Sequence, residues 1–94
     1  MNIEFTAKIW FWKGPSPFYF VTVPAEQSQE LHFISSSVTY GWGMIPVTVQ
    51  IGRTVWQTSL WPKDGGYVVP IKVSVRRAEK IDEGDTVSVR LEVN

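Results

Sequence analysis

Apolar and polar residues alternate along much of this chain with the period of β-strands. Residues 3 to 12 set Ile3, Phe5, Ala7, Ile9 and Phe11 against Glu4, Thr6, Lys8, Trp10 and Trp12, which predicts a half-buried strand. Lys13-Gly14-Pro15-Ser16-Pro17 is dense in turn formers and residues 18 to 23 are aromatic and β-branched, so the two runs predict a hairpin with a longer loop. Alternation returns at Ile45, Val47, Val49 and Ile51 and is interrupted by Gly52-Arg53, a two-residue type II′ turn with glycine first. That turn places Ile51 opposite Thr54, Val49 opposite Trp56, Val47 opposite Thr58 and Ile45 opposite Leu60. Trp56 then points into the core, and Val55, Gln57 and Ser59 point away. Residues 61 to 66 form a strong turn signal, and Tyr67-Val68-Val69 predicts a fifth strand stopping at Pro70. Val87, Val89, Leu91 and Val93 alternate with Ser88, Arg90 and Glu92 in the last strand.

Two segments follow the helical period. Pro24 suits a first helical position, Glu26 complements the dipole, and Leu31 and Ile34 share a side, predicting a short helix over 24 to 35. Ser35-Ser36-Ser37 and Tyr40-Gly41-Trp42-Gly43 then read as connection. From residue 71 to 80 the strand spacing of Ile71, Val73 and Val75 competes with the helical spacing of Ile71, Val75 and Ala78. The run Arg76-Arg77-Ala78-Glu79-Lys80, ending shortly before Gly84, favours a helix. The expected architecture is mainly β: one domain over residues 1 to 94, a small closed or partly open six-stranded antiparallel β-barrel with two short helices.

Composition narrows what such a barrel does. At 94 residues with 44% hydrophobic and 14% aromatic content, the chain has enough apolar side chains for one core. Nine Lys and Arg balance nine Asp and Glu, so the basic excess usual in nucleic-acid-binding domains is missing, and any cationic site is local. With no cysteine, neither a disulfide framework nor a thiolate metal site forms, which fits a reducing compartment and predicts a cytoplasmic protein. The start, Met1-Asn2-Ile3-Glu4, lacks the pattern of a signal peptide, and no segment approaches the roughly 20 apolar residues of a membrane span.

The run Trp61-Pro62-Lys63-Asp64-Gly65-Gly66-Tyr67-Val68-Val69-Pro70-Ile71-Lys72, continuing through Arg76-Arg77-Ala78 to Glu83-Gly84-Asp85-Thr86-Val87, resembles the bacterial domain of unknown function nineteen-oh-five, as does the stretch from Trp42 to Thr58-Ser59-Leu60. The resemblance extends from the opening strand through Val23-Pro24-Ala25-Glu26 to Val93, and it implies a small six-stranded barrel of unassigned activity. Residues 70 to 87 also resemble, over one helix and turn, the swapped-hairpin AbrB-like regulators.

Candidate binding residues fall into two groups. If residues 71 to 80 are helical, Lys72, Arg76 and Lys80 lie along one face with Arg77 beside them, a basic stripe able to meet phosphate or carboxylate, or else a solvated face neutralised by Asp82, Glu83 and Asp85. Trp10 and Trp12 fall on the polar side of the first strand, where a helix, a ligand or a second subunit must cover them. Tyr40, Trp42 and Trp61 stand near Gly and Pro, able to line a pocket mouth or cap the barrel end. His32 is the only histidine, so no ordinary zinc site is expected, and no serine sits in a nucleophile elbow. The expected function is a non-catalytic binding or interaction module of the bacterial cytosol, without cofactor or metal, its partner a small ligand, a protein or a second copy of the chain. The alternatives are a DNA-binding AbrB-like or antitoxin-like regulator using the basic stripe, and a small hydrolase using His32.

Overall fold

The computed structural model describes residues 1–38 and 43–94, so Tyr40 and Trp42 lie outside the described residues. In chain order the elements are β1 (Asn2–Lys8), β2 (Trp10–Trp12), β3 (Phe18–Thr22), α1 (Ala25–Val38), β4 (Ile45–Ile51), β5 (Thr54–Lys63), β6 (Gly66–Ile71), α2 (Val73–Glu79) and β7 (Thr86–Val93). All strand pairs are antiparallel, in the order β1-β7-β4-β5-β6-β3-β2, and the sheet curls into an open half-barrel.

Among the described residues seven strands stand where six were expected. The difference arises at Ile9, whose N–H donates to the Asp85 carbonyl at 2.9 Å and whose carbonyl accepts from Gly84 N–H at 2.8 Å. These bonds tie Ile9 to the loop before β7 and end the β1 ladder; beyond them the chain changes partner, from β7 to β3. The two ends of the strand order are therefore consecutive in sequence. Alternation itself runs on undisturbed, with Ile3, Phe5 and Ile9 all buried in the core.

The β4–β5 hairpin has the predicted register, from Ile51↔Thr54 through Val49↔Trp56 to Ile45↔Leu60. Gly52 has φ 59°, as a type II′ turn requires of its first central residue. Glu79 of α2 locks this turn: its carboxylate accepts Thr54 Oγ1–H at 2.6 Å and Arg53 N–H at 3.3 Å. A Cβ at Gly52 would overlap the same carboxylate.

Residues 61 to 66, expected as a turn, are mostly strand. β5 continues to Lys63, and only Asp64 (φ 51°) and Gly65 (φ 80°) form the two-residue type I′ turn into β6. β6 also runs past its expected end, because its ladder to β5 finishes at Val68↔Trp61; Pro70, paired with Phe20 of β3, stands where β6 is locally an edge and a missing N–H is tolerated.

Both helices shift from their expected bounds. α1 continues through Ser35, Ser36 and Ser37 to Val38, since no glycine or proline interrupts residues 25 to 38. Its Leu31 is fully buried in the core, and its Ser28 donates to the Val23 carbonyl at 3.2 Å. α2 begins after Lys72, because Ile71 stays in β6, and it ends at Lys80 in the left-handed conformation (φ 55°), with the Lys80 N–H directed to the carbonyls of Arg76 and Arg77. Of the expected apolar stripe, Ile71 is buried from the strand, Val75 is buried from the helix, and Ala78 is exposed.

Candidate binding site

Val21 of β3 is fully buried in the barrel core, so Phe20 must point out of the barrel. An outward phenylalanine on a solvated sheet would be exposed, yet Phe20 is only 1% exposed. The pairings Trp10↔Phe20 and Trp12↔Phe18 bring β2's indoles beside it, and Trp61↔Val68 brings up the third from β5. Ring centres of Trp10, Trp61, Phe18 and Trp12 lie 5.2, 5.4, 5.7 and 6.4 Å from that of Phe20, all tilted. Tilted pairs at such distances contribute about 0.5–1.5 kcal/mol each beyond area burial. Trp10 is further fixed by its indole N–H, which donates to Thr22 Oγ1 at 2.9 Å. The cover expected for Trp10 and Trp12 thus comes from rings within their own sheet, with Trp12 and Trp61 each still 38% exposed.

These rings frame a slot of about 200 Å³, lined by Trp10, Trp12, Phe20, Trp61 and Val68, with Pro62 and Lys63 at its side. Two hollows flank it. One, of about 440 Å³, shares Trp10, Lys63 and Val68 with the slot and adds Thr22, Gln29 and Asp64. The other, of about 370 Å³, shares Trp61 and adds Phe18, Pro70, Gln57 and Lys72. Trp10 and Trp61 thus each line two of the hollows, the slot adjoining one through Trp10 and the other through Trp61. The exterior of β1, β7 and β4 has the opposite character, with Glu4, Thr48, Gln50, Arg90 and Glu92 around shallow polar depressions and an Arg90–Glu4 ion pair at 2.7 Å.

The basic stripe is dispersed. Lys72 is the N-cap of α2 and lines the hollow beside Trp61. Arg76 is folded inward, its guanidinium carbon 3.6 Å from the centre of the Tyr19 ring and its Nη1 3.6 Å from Asp82 Oδ1, with its side chain only 19% exposed. Arg77 is exposed on α2. The structure therefore gathers Trp10, Trp12 and Trp61 at one site with Lys72 at its margin, and sets Arg76 into a structural contact. Trp42 lies outside the described residues.

Phe20, Phe18, Val68 and Lys63 belong to the site without having been singled out in the sequence. A signal for the first two was present, since Phe18-Tyr19-Phe20-Val21 is apolar on both faces, the pattern of a strand covered on both sides. Chemically the slot can hold an apolar ring; among the described residues Lys63 is the only ionisable group lining it, and no hydroxyl or imidazole does. Among the described residues no group of three or more His, Cys, Asp or Glu is placed to hold a metal ion, and no helix is long and apolar enough to cross a membrane.

Residues 5–91 match the family model described as Domain of unknown function (DUF1905), which covers nearly the whole chain, so the protein belongs to this family. No curated protein matches the sequence.

Proposed function

We propose that this member of the DUF1905 family is a non-catalytic binding module whose contact surface is the aromatic outer face centred on Phe20. The observation that carries the reading is the asymmetry of the barrel exterior. One half is polar, and the other sets three tryptophans and Phe20 around an open slot of about 200 Å³, with Phe18 packed beside Phe20. A core needs no such arrangement, and an apolar patch rimmed by polar groups marks a contact surface. Arg76, engaged by Tyr19 and Asp82, makes α2 a poorer surface for phosphate than a free stripe would be.

The test is a thermal-unfolding screen against small metabolites, peptides, oligosaccharides and short DNA, followed by circular dichroism, since any ligand of the native state raises the midpoint. Ligands that stabilise the protein should lose most of their effect in Trp12→Ala and Trp61→Ala and keep it in Arg77→Ala. A ligand whose effect survives both tryptophan substitutions and disappears with Arg77→Ala would move the site to α2 and sink the proposal.

A further inference from the structure

We propose that the occupant of the aromatic face is a short peptide segment in the polyproline II conformation, with a proline ring seated in the slot between Trp10 and Trp61. The proposal deepens the binding-module reading and rests on it.

Size argues first. Trp12 and Trp61 are each 38% exposed, and with about 250 Å² per indole side chain they offer on the order of 100 Å² each. A stable pair of proteins needs about 800 Å² per partner, of which the two indoles supply about a quarter, so the exposed rings by themselves suit a short segment better than a second copy of the chain.

Shape argues next. The slot adjoins one hollow at Trp10 and the other at Trp61, so an occupant larger than a single ring can reach from the slot into either. The two shared rings, Trp10 and Trp61, stand within 5.4 Å of the Phe20 ring centre, so their own centres are less than about 11 Å apart. One turn of polyproline II, three residues, advances about 9.3 Å. That advance lies within the limit on the indole separation, so a segment of this kind is long enough to meet both rings, and its preformed backbone loses little entropy on docking.

Chemistry then separates the peptide from other extended polymers. Among the described residues the slot is lined by aromatic and aliphatic side chains and by Lys63. A sugar ring there could pair its hydroxyls only with the indole N–H groups, Lys63 or solvent, whereas a pyrrolidine ring carries no hydroxyl to satisfy. Single-stranded nucleic acid needs a cationic track beside the stacking rings. Among the described residues the charged side chains along the three hollows are Lys63, Asp64 and Lys72, a net of one positive charge. The Lys63–Asp64 contact is long, at 3.7 Å, and open to solvent; such pairs contribute little, which leaves the Lys63 ammonium able to donate to a peptide carbonyl.

The experiment is a titration of ¹⁵N-labelled protein with decaproline, reading the indole N–H resonances, with a Gly-Ser decapeptide, cellohexaose and oligo-dT as parallel probes. Decaproline should shift the indole signals of Trp10, Trp12 and Trp61 saturably and leave Trp56 unmoved. The Gly-Ser peptide should be silent, and Trp12→Ala and Trp61→Ala should each weaken decaproline binding about tenfold. No shift with decaproline, an equal shift with the Gly-Ser peptide, or binding that both substitutions leave unchanged overturns the inference. Cellohexaose or oligo-dT moving those same indoles while decaproline is silent overturns the peptide and keeps the aromatic site. A probe that moves α2 and spares the indoles overturns both. The wild-type map alone decides among these outcomes, so the test stands even where a variant fails to fold.

Discussion

Phe20 does the work of a core residue on the wrong side of the sheet. Because four rings close over it, Phe20→Ala should leave a cavity and cost about 3–5 kcal/mol, the usual range for a buried phenylalanine, measured by urea unfolding; a loss below 1 kcal/mol would show that the rings do not pack as a unit. The Gly52–Glu79 contact makes a second residue-scale prediction. Gly52→Ala meets both a left-handed φ of 59° and the Glu79 carboxylate, so it should destabilise by about 2 kcal/mol or more. Glu79→Ala in the same chain should recover part of that loss, and strictly additive effects in the double-mutant cycle would refute the contact. Little of this detail was legible in the sequence. Gly52 was, because a glycine between two alternating runs is a turn by local chemistry alone. Phe20 as a hub was not, because it needs Trp10, Trp12 and Trp61 to arrive from other strands, and pattern along one segment carries no information on what crosses it.

At the scale of elements, α2 shows how a helical pattern can suggest one role and packing assign another. The spacing of Lys72, Arg76 and Lys80 reads as a basic stripe, but the helix spans only Val73–Glu79, so the outer two are caps and the middle one lies on Tyr19. Arg76→Ala should therefore cost about 1–2 kcal/mol of stability through lost stacking and packing, whereas Arg77→Ala, on the exposed side, should change it by less than about 0.5 kcal/mol. Arg76→Lys should not restore the loss, because an ammonium lacks the planar group that lies against the ring. Equal stabilities for the Arg76 and Arg77 variants, in chemical denaturation, would contradict the assignment. The β4–β5 hairpin is the opposite case: turn chemistry, alternation and burial all specify one register, and that register is found. The first strand lies between these extremes. Its inward face was readable, whereas its break at Ile9 depends on the Asp85 and Gly84 backbone, which lies far along the chain.

For the molecule as a whole, the radius of gyration of 12.4 Å matches about 12.4 Å expected for a folded domain of this length. The architecture couples its two chain ends: β1 runs beside β7 from Asn2↔Glu92 to Lys8↔Thr86. Deleting residues 1–8 would strip β7 of one neighbour and remove Ile3 and Phe5 from the core, so the truncated chain should lose its cooperative thermal transition. Retention of a native-like transition would show that the β4–β7 half is self-sufficient. Balanced charge makes a further whole-molecule expectation: binding at the aromatic face should vary little with salt, unlike phosphate recognition, whose affinity falls steeply as counterions are added.

The continuity of β1 and β2 through Ile9 also sets a phase. Inward and outward positions keep step from Ile3 to Trp12, so the aromatic face and the core are framed by one count of residues. Losing a single residue at that bend would preserve every side chain in the rest of the strand and invert the second half of the count, sending Trp10 and Trp12 toward the barrel interior and Phe11 outward. The strand thus behaves like a reading frame: its spacing, as much as its composition, is what gives this protein a face to bind with.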